Sequence, residues 1–309
     1  MDKVGTVMAA LISSLLTSCV AIPKKAVRVE DRLWIEKDYD RRLNLLRIDF
    51  RIERILTRFG HTQVLISGEA NDKTSILLHA MGFNLTSWAP NIETLSRHYK
   101  VIAIDMIGDQ GRSIVRRDYP ENITEYSQLL NDIVDYFEIN EVNIIGCSMG
   151  GWIGHGYAIE YPEKIQHLIL ISPAAGIPQK TKWMGILLKM LFTKDETKLK
   201  EVSRRLLGHF QASEDWLEYM AKTSKDPKGA KLGMPKEFSD EQLAKTGGKV
   251  LLLIGDSEYV YKSTDEVVNR ARKTIPNITT KIIPNAGHLG AWDNPEFVNS
   301  EIISFIGIE

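Results

Sequence analysis

Short, continuous apolar runs recur along this chain and alternate with helix-length polar stretches. The runs are "HTQVLISG" (61–68), "SILLHA" (75–80), "VIAID" (101–105), "VNIIG" (142–146), "HLILIS" (167–172), "KVLLLIG" (249–255) and "TTKIIP" (279–284). Most are continuous rather than alternating, as expected of strands buried on both faces. Between them, "TEYSQLLNDIVDYFEI" places Leu129, Ile133 and Phe137 on one helical face, with Thr124 as the expected cap. "TDEVVNRARKTI" follows the penultimate run as another helix. Strand-length runs alternating with helices mean an α/β protein: a mostly parallel sheet with helices on both faces.

The chain's 309 residues suffice for one sizeable core with a small inserted piece. Its 26% charged and 43% apolar content is ordinary for a globular protein, and a net charge of −1 gives no reason to expect a nucleic-acid partner. Cys19 and Cys147 frame no disulfide scaffold, and no Cys/His group has metal-ligand spacing. From Val27 to Arg58 the pattern reads as helical, with Leu33, Leu43, Leu46, Phe50 and Leu56 spaced three to seven or more apart. The long gap between the fifth and sixth runs, 173–248, reads as a mostly helical cap inserted over one end of the sheet. The expected organisation is a leader over 1–19, a tether and helical lead-in over 20–59, a core over 60–172 and 249–309, and the cap.

The nucleophile candidate lies where a strand run ends. Gly146-Cys147-Ser148-Met149-Gly150 separates "VNIIG" from a helical stretch. A serine at a sharp strand-to-helix turn has a strained backbone, small neighbours and a hydroxyl at the carboxyl end of the sheet. Such a hydroxyl needs a base, and the base needs a carboxylate to orient it. Of seven histidines, His288 follows the last strand run in a loop able to return over the serine; His61, His98, His155 and His209 have no comparable placement. After "LLLIG", the residues alone leave Asp256, Glu258 and Asp265 open as the acid. The amides of Met149 and Met81 are the expected donors to an oxyanion, Met81 lying in the loop "LLHAMGFN".

With "LLHAMGFN", "VIAIDMIGDQGRS", "NIIGCSMGG", "LLLIGDSEYVY" and "PNAGHLGAWDNPEFVN" in order, the chain resembles the α/β-hydrolases over about Gly60 to Phe305, the cap excepted. It is most similar to their bacterial carboxylesterase-like members. The resemblance implies an acid three residues past the strand-ending glycine, which is Glu258, with Asp256 kept as the alternative. Two positions depart from the family pattern: His79-Ala80 stands where His-Gly is usual, and "GDQGRS" is one residue longer. The N-terminus resembles a bacterial lipoprotein signal. Val4 to Val20 is uncharged, and "LTSC" resembles a processing box that would lipidate Cys19.

The expected activity is cofactor-free hydrolysis of a small-molecule carboxylic ester through an acyl-enzyme, by a protein lipid-anchored at the cell membrane and facing outside the cytoplasm. A thioester, amide or peptide, lactone or carbon–carbon bond could serve as substrate on the same residues. A different class, an inactive membrane-tethered binding protein, would leave Ser148 unlabelled by a fluorophosphonate.

Overall fold

The computed structural model describes residues 29–307, apart from 117 and parts of the connection over 179–232 (179–180, 183–184, 187–188, 190–192, 194, 209–213 and 224–232). Helix α1 (Val29–Leu45) comes first. Strands β1 (Phe50–Thr57), β2 (Gly60–Ser67) and β3 (Thr74–Leu78) follow, then α2 (Ala89–Leu95) and β4 (Lys100–Ile104). The short β5 (Ile114–Val115) precedes α3 (Ile123–Tyr136), β6 (Val142–Cys147), α4 (Met149–Glu160) and β7 (Ile165–Ile171). Helices α5 (Glu196–Arg204), α6 (Glu214–Thr223) and α7 (Asp240–Leu243) lie between β7 and β8 (Lys249–Gly255). The chain closes with α8 (Thr264–Thr274), β9 (Ile278–Ile283), α9 (Gly290–Asp293) and α10 (Pro295–Gly307).

This is the α/β-hydrolase architecture. The sheet runs β1-β2-β4-β3-β6-β7-β8-β9, with β5 beside β2. From β4 to β9 every pairing is parallel, and β1, β2 and β5 add an antiparallel margin. The continuous apolar runs explain the middle: β3 and β6 are buried at every residue, and β8 at all but Lys249. Such strands are viable only with both faces covered. Helices α3 and α4 pack on each other, α4 covers β3, β6 and β7, and α10 lies against α2 and β8. Parallel strands send their carboxyl ends to one side, and the loops leaving β3, β6, β8 and β9 meet there.

Two local expectations are corrected. The helix read over 27–58 stops at Leu45, and Phe50–Thr57 is a strand, paired residue by residue from Phe50 opposite Ser67 to Thr57 opposite Gly60. Ile52 and Leu56 face solvent on this edge strand, so its apolar residues do not alternate as a half-buried strand's would. The hairpin depends on Gly60, at φ 148°, where a Cβ would sit 2.1 Å from the Ile114 carbonyl of β5. Helix α3 is capped by Asn122, whose side chain accepts from the Glu125 amide; Thr124 lies in the first turn and donates to Glu160.

One contact fixes α4 against the sheet. At Gly150 a Cβ would fall 2.1 Å from the Leu78 carbonyl, and at Gly146 it would fall 2.4 Å from the Gly150 carbonyl. The Gly150 amide donates to His79 O at 3.1 Å. The helix therefore starts in backbone contact with the end of β3. Gly150→Ala is expected to lower stability by about 3 kcal/mol, because both surfaces are backbone and neither can yield cheaply. Urea unfolding of the variant beside wild type measures the loss.

Candidate active site

Ser148 stands alone between β6 and α4, at φ 51° and ψ −112°. That is a costly conformation for a residue with a Cβ. Three backbone bonds hold it: its N–H donates to Ile171 O at 3.0 Å, and its carbonyl accepts from the amides of Trp152 (3.0 Å) and Ala174 (2.9 Å). The result is a serine at the tip of a central strand with the helix beginning at the next residue.

The loop after β9 carries His288. The Asp256 carboxylate accepts from the amides of Asn285 (2.8 Å) and Ala286 (3.2 Å), and the Ser257 amide donates to Ala286 O. Asp293 Oδ2 accepts from the Gly287 amide at 2.7 Å and from Gly208, in the β7–β8 connection, at 2.9 Å. Held from both sides, His288 is 2% exposed. Its Nε2 lies 2.9 Å from Ser148 Oγ, and its Nδ1 lies 3.0 and 3.1 Å from the two Glu258 oxygens. In the neutral ring, Nδ1–H donates to the carboxylate and Nε2 is left to accept the serine proton.

Glu258 sits in the turn after β8, its side chain fully buried. Burial pushes its carboxyl up. His288, the Val260 amide at 2.7 Å and the nearby Ser172 hydroxyl outweigh that and hold it below the usual carboxylate range. Asp256, the alternative acid, is engaged by the loop backbone rather than by the imidazole. Asp265 is exposed in the first turn of α8.

Of the two expected oxyanion donors, Met149 directly follows the serine. The Met149 amide opens α4, and Met81 follows β3 in a loop pinned by His79. There Met106 N–H donates to His79 Nε2 at 3.0 Å, and His79 Nδ1 lies 2.8 Å from Ala80 O. Burial pushes His79 down to about 4, so it is a neutral strut. At Gly82 (φ 84°) the backbone turns, and its amide donates to Asp109. Neither Met81 N–H nor Met149 N–H has an acceptor among the described residues.

The remaining histidines stand elsewhere. His155 is buried on α4 against Thr246, His167 lies in β7 beside Asn143, His61 lies in β2 and His98 is exposed; His209 lies outside the described residues. Burial pushes the Cys147 thiol far up, which removes it as a competing nucleophile. Among the described residues, no group of three or more His, Cys, Asp or Glu is arranged to hold a metal ion. Sequence reasoning missed Asp293 and Tyr261. The Tyr261 hydroxyl donates to Pro173 O while its ring meets His288 edge-on. Only the nearness of Asp293 to His288 in the chain hinted at the first; nothing local marked the second.

The sequence model of the family described as alpha/beta hydrolase fold matches residues 76–213. The chain is 29% identical to carboxylesterase nap of Bacillus subtilis over 88% of this chain and 91% of that one. It superposes on the crystal structure of carboxylesterase CesB (YbfK) of Bacillus subtilis with a TM-score of 0.82 at 26% identity, covering 90% of this chain and 99% of that one. It is also 26% identical to a 2-hydroxy-6-oxononadienedioate/2-hydroxy-6-oxononatrienedioate hydrolase of Paraburkholderia phymatum, over 77% of this chain and 88% of that one.

These matches to carboxylesterases overturn the expected location, a lipid-anchored protein at the cell membrane. Among the described residues no helix is long and apolar enough to cross a membrane. The lipoprotein signal has no support. Residues 1–19, Cys19 included, lie outside the described residues.

Burial, with Asp256 and Glu258 nearby, pushes Asp293 up to about 6. A raised acid contributes stability in full below its unfolded value and loses it as pH rises through about 6. Asp293→Asn keeps an oxygen for the two amides and removes the charge. Its melting temperature should match wild type at about pH 3, exceed it increasingly from about pH 4 to 6 and then hold a constant lead to about pH 8, which thermal unfolding across that range measures.

Proposed function

We propose that this chain, an α/β-hydrolase belonging to the carboxylesterase-like serine hydrolases, cleaves a carboxylic ester through an acyl-enzyme, with Ser148 as nucleophile, His288 as base and Glu258 as the acid. The observation that carries this reading is the unbroken line of contacts from Ser148 Oγ to His288 Nε2 at 2.9 Å and from Nδ1 to Glu258 at 3.0 Å.

The steps follow from that line. Ser148 Oγ attacks the ester carbonyl as its proton passes to His288 Nε2. Glu258 holds the ring so that Nε2 faces the serine, and it stabilises the imidazolium that forms. The amides of Met149 and Met81 meet the oxyanion; in a site closed to water such donors act at full strength. His288 gives its proton to the leaving alcohol, then takes one from the water that attacks the acyl-enzyme and returns it to Ser148 Oγ as the carboxylic acid leaves. The helices between β7 and β8, across residues 173–248, are the part of the chain that shapes the substrate pocket.

A second reading has one observation in its favour, the similarity to the 2-hydroxy-6-oxo dienedioate hydrolase. A substrate so named carries a ketone and no ester, so water must divide a carbon–carbon bond. The same serine, histidine and acid serve both reactions, and the bond presented to Ser148 decides between them.

The test compares para-nitrophenyl esters from acetate to decanoate with a 2-hydroxy-6-oxo dienoate. Ser148→Ala and His288→Ala should each lower kcat/KM by about 10⁴-fold or more, and Glu258→Ala by about 10³- to 10⁴-fold. Asp256→Ala should cost far less, about tenfold, through a loosened loop. A larger loss in Asp256→Ala than in Glu258→Ala moves the acid to Asp256. Turnover of the dienoate alone replaces the ester reading with the second one. Failure of both substrates, with no labelling of Ser148 by a fluorophosphonate, overturns the proposal.

A further inference from the structure

We infer that Arg42, on the N-terminal helix, is a positioning residue for the site: it locks α6 onto the loop after β3 and so fixes one wall of the substrate pocket. The inference rests on the ester-hydrolase reading for the pocket's use, though not for the lock itself.

Two buried side chains of helix α1 grip the rest of the molecule in ways that bear on the site. The first is Tyr39, whose hydroxyl donates to Asp105 Oδ2 at 2.8 Å and accepts from Gln63 at 2.9 Å. The Asp105 carboxylate, at the end of β4, also accepts from the amides of Leu85 and Arg112, each at 2.8 Å. The helix is thus fastened to the sheet and to the loop that follows β3.

The second grip is Arg42. Its guanidinium lies 3.6 Å from the Trp216 ring centroid and 5.5 Å from that of Tyr219, both on α6. The side chain is buried, and its Nε donates to buried Asp38 at 2.6 Å. Its Nη2 has no hydrogen-bond acceptor among the described residues, so that end of the guanidinium faces rings rather than oxygens. A desolvated guanidinium over an indole is a strong contact, and its planar face demands a particular ring orientation. Arg41 adds an exposed pair with Asp215 at the start of the same helix.

Helix α6 in turn reaches the proposed oxyanion loop. The Tyr219 hydroxyl accepts from buried Asn84 at 3.0 Å, and Phe83 stacks on the Tyr219 ring at 5.6 Å. Phe83 also meets Trp292 edge-on at 4.5 Å, and Trp292 stacks on Trp216 at 4.2 Å. Phe83 and Asn84 follow Met81 by two and three residues, and Trp292 follows His288 by four. The ring cluster therefore joins the oxyanion loop, the histidine loop and the cap, and Arg42 presses on it from the N-terminal helix.

The experiment uses the full chain as wild type, Arg42→Ala, Arg42→Lys and, as control, Arg97→Ala, which loses only an exposed pair with Glu93 on α2. Hydrolysis of para-nitrophenyl acetate to decanoate is expressed per fluorophosphonate-titrated serine, so any unfolded fraction drops out. Hydrogen exchange is followed over 81–85 and 214–223. Arg42→Ala should raise KM for short esters about tenfold, change kcat less than about threefold and shift the preferred acyl length. Exchange should rise in both segments. Arg42→Lys keeps the charge but not the plane and should fall between; it carries the test if Arg42→Ala does not fold. The control should match wild type. An unchanged length profile with unchanged exchange overturns the inference, as does the same shift in the control. If wild type hydrolyses none of these esters, the ester reading fails, and exchange alone decides whether Arg42 holds α6.

Discussion

Everything in the site hangs on one residue forced into a left-handed turn. Ser148 at φ 51° costs on the order of 1–3 kcal/mol, which the surroundings must offset. They do so with three backbone hydrogen bonds, two of them to its carbonyl. They also need α4 close against β3, which Gly146 and Gly150 permit. The same turn starts the helix at Met149, so a free amide and the hydroxyl stand side by side. Strain, glycine spacing and donor placement are one constraint seen three ways.

Around the histidine, three carboxylates divide the work. Asp256 holds the loop by the amides of Asn285 and Ala286, and Asp293 ties Gly287 to Gly208. Glu258 alone touches the ring. Burial raises the pKa of both Glu258 and Asp293, nearby like charges add to it for Asp293, and the group with the weaker compensation yields. Glu258 has the imidazole and stays low; Asp293 has two amides, a buried Oδ1 without a donor among the described residues, and rises to about 6. The cost of burial is thereby placed on the acid that holds backbone, not on the one that faces His288.

What could be read from the sequence follows the range of the interactions involved. Continuous apolar runs marked β3, β6, β7 and β8, because burial on both faces leaves no other composition. The Gly146–Ser148–Gly150 spacing was legible, since a backbone clash demands glycine locally. Asp256 and Glu258 were not separable by spacing. Both follow the same strand, and only the turn geometry sends one to the loop amides and the other to the ring. Strand β1 was misread as helix because its outer face leaves Ile52 and Leu56 exposed. Arg42, Trp216 and Trp292 had no local signal at all. Their contacts join residues more than seventy positions apart, and nothing in any one segment reports them.

Burial gives these contacts their consequence. Ser148 is 7% exposed, His288 2%, and the Glu258 side chain is fully buried. In so dry a setting a carboxylate facing an imidazole interacts far more strongly than it would in water, and either one left alone would bear the whole desolvation cost. The pair is therefore sound only while the loops carrying it stay registered. Those loops leave β8 and β9 and are tied to the cap through Gly208 and the Trp216–Trp292 stack. A cap contact remote from Ser148 can thus act on the chemistry without touching it, because what it sets is the dryness and alignment on which the buried pair depends.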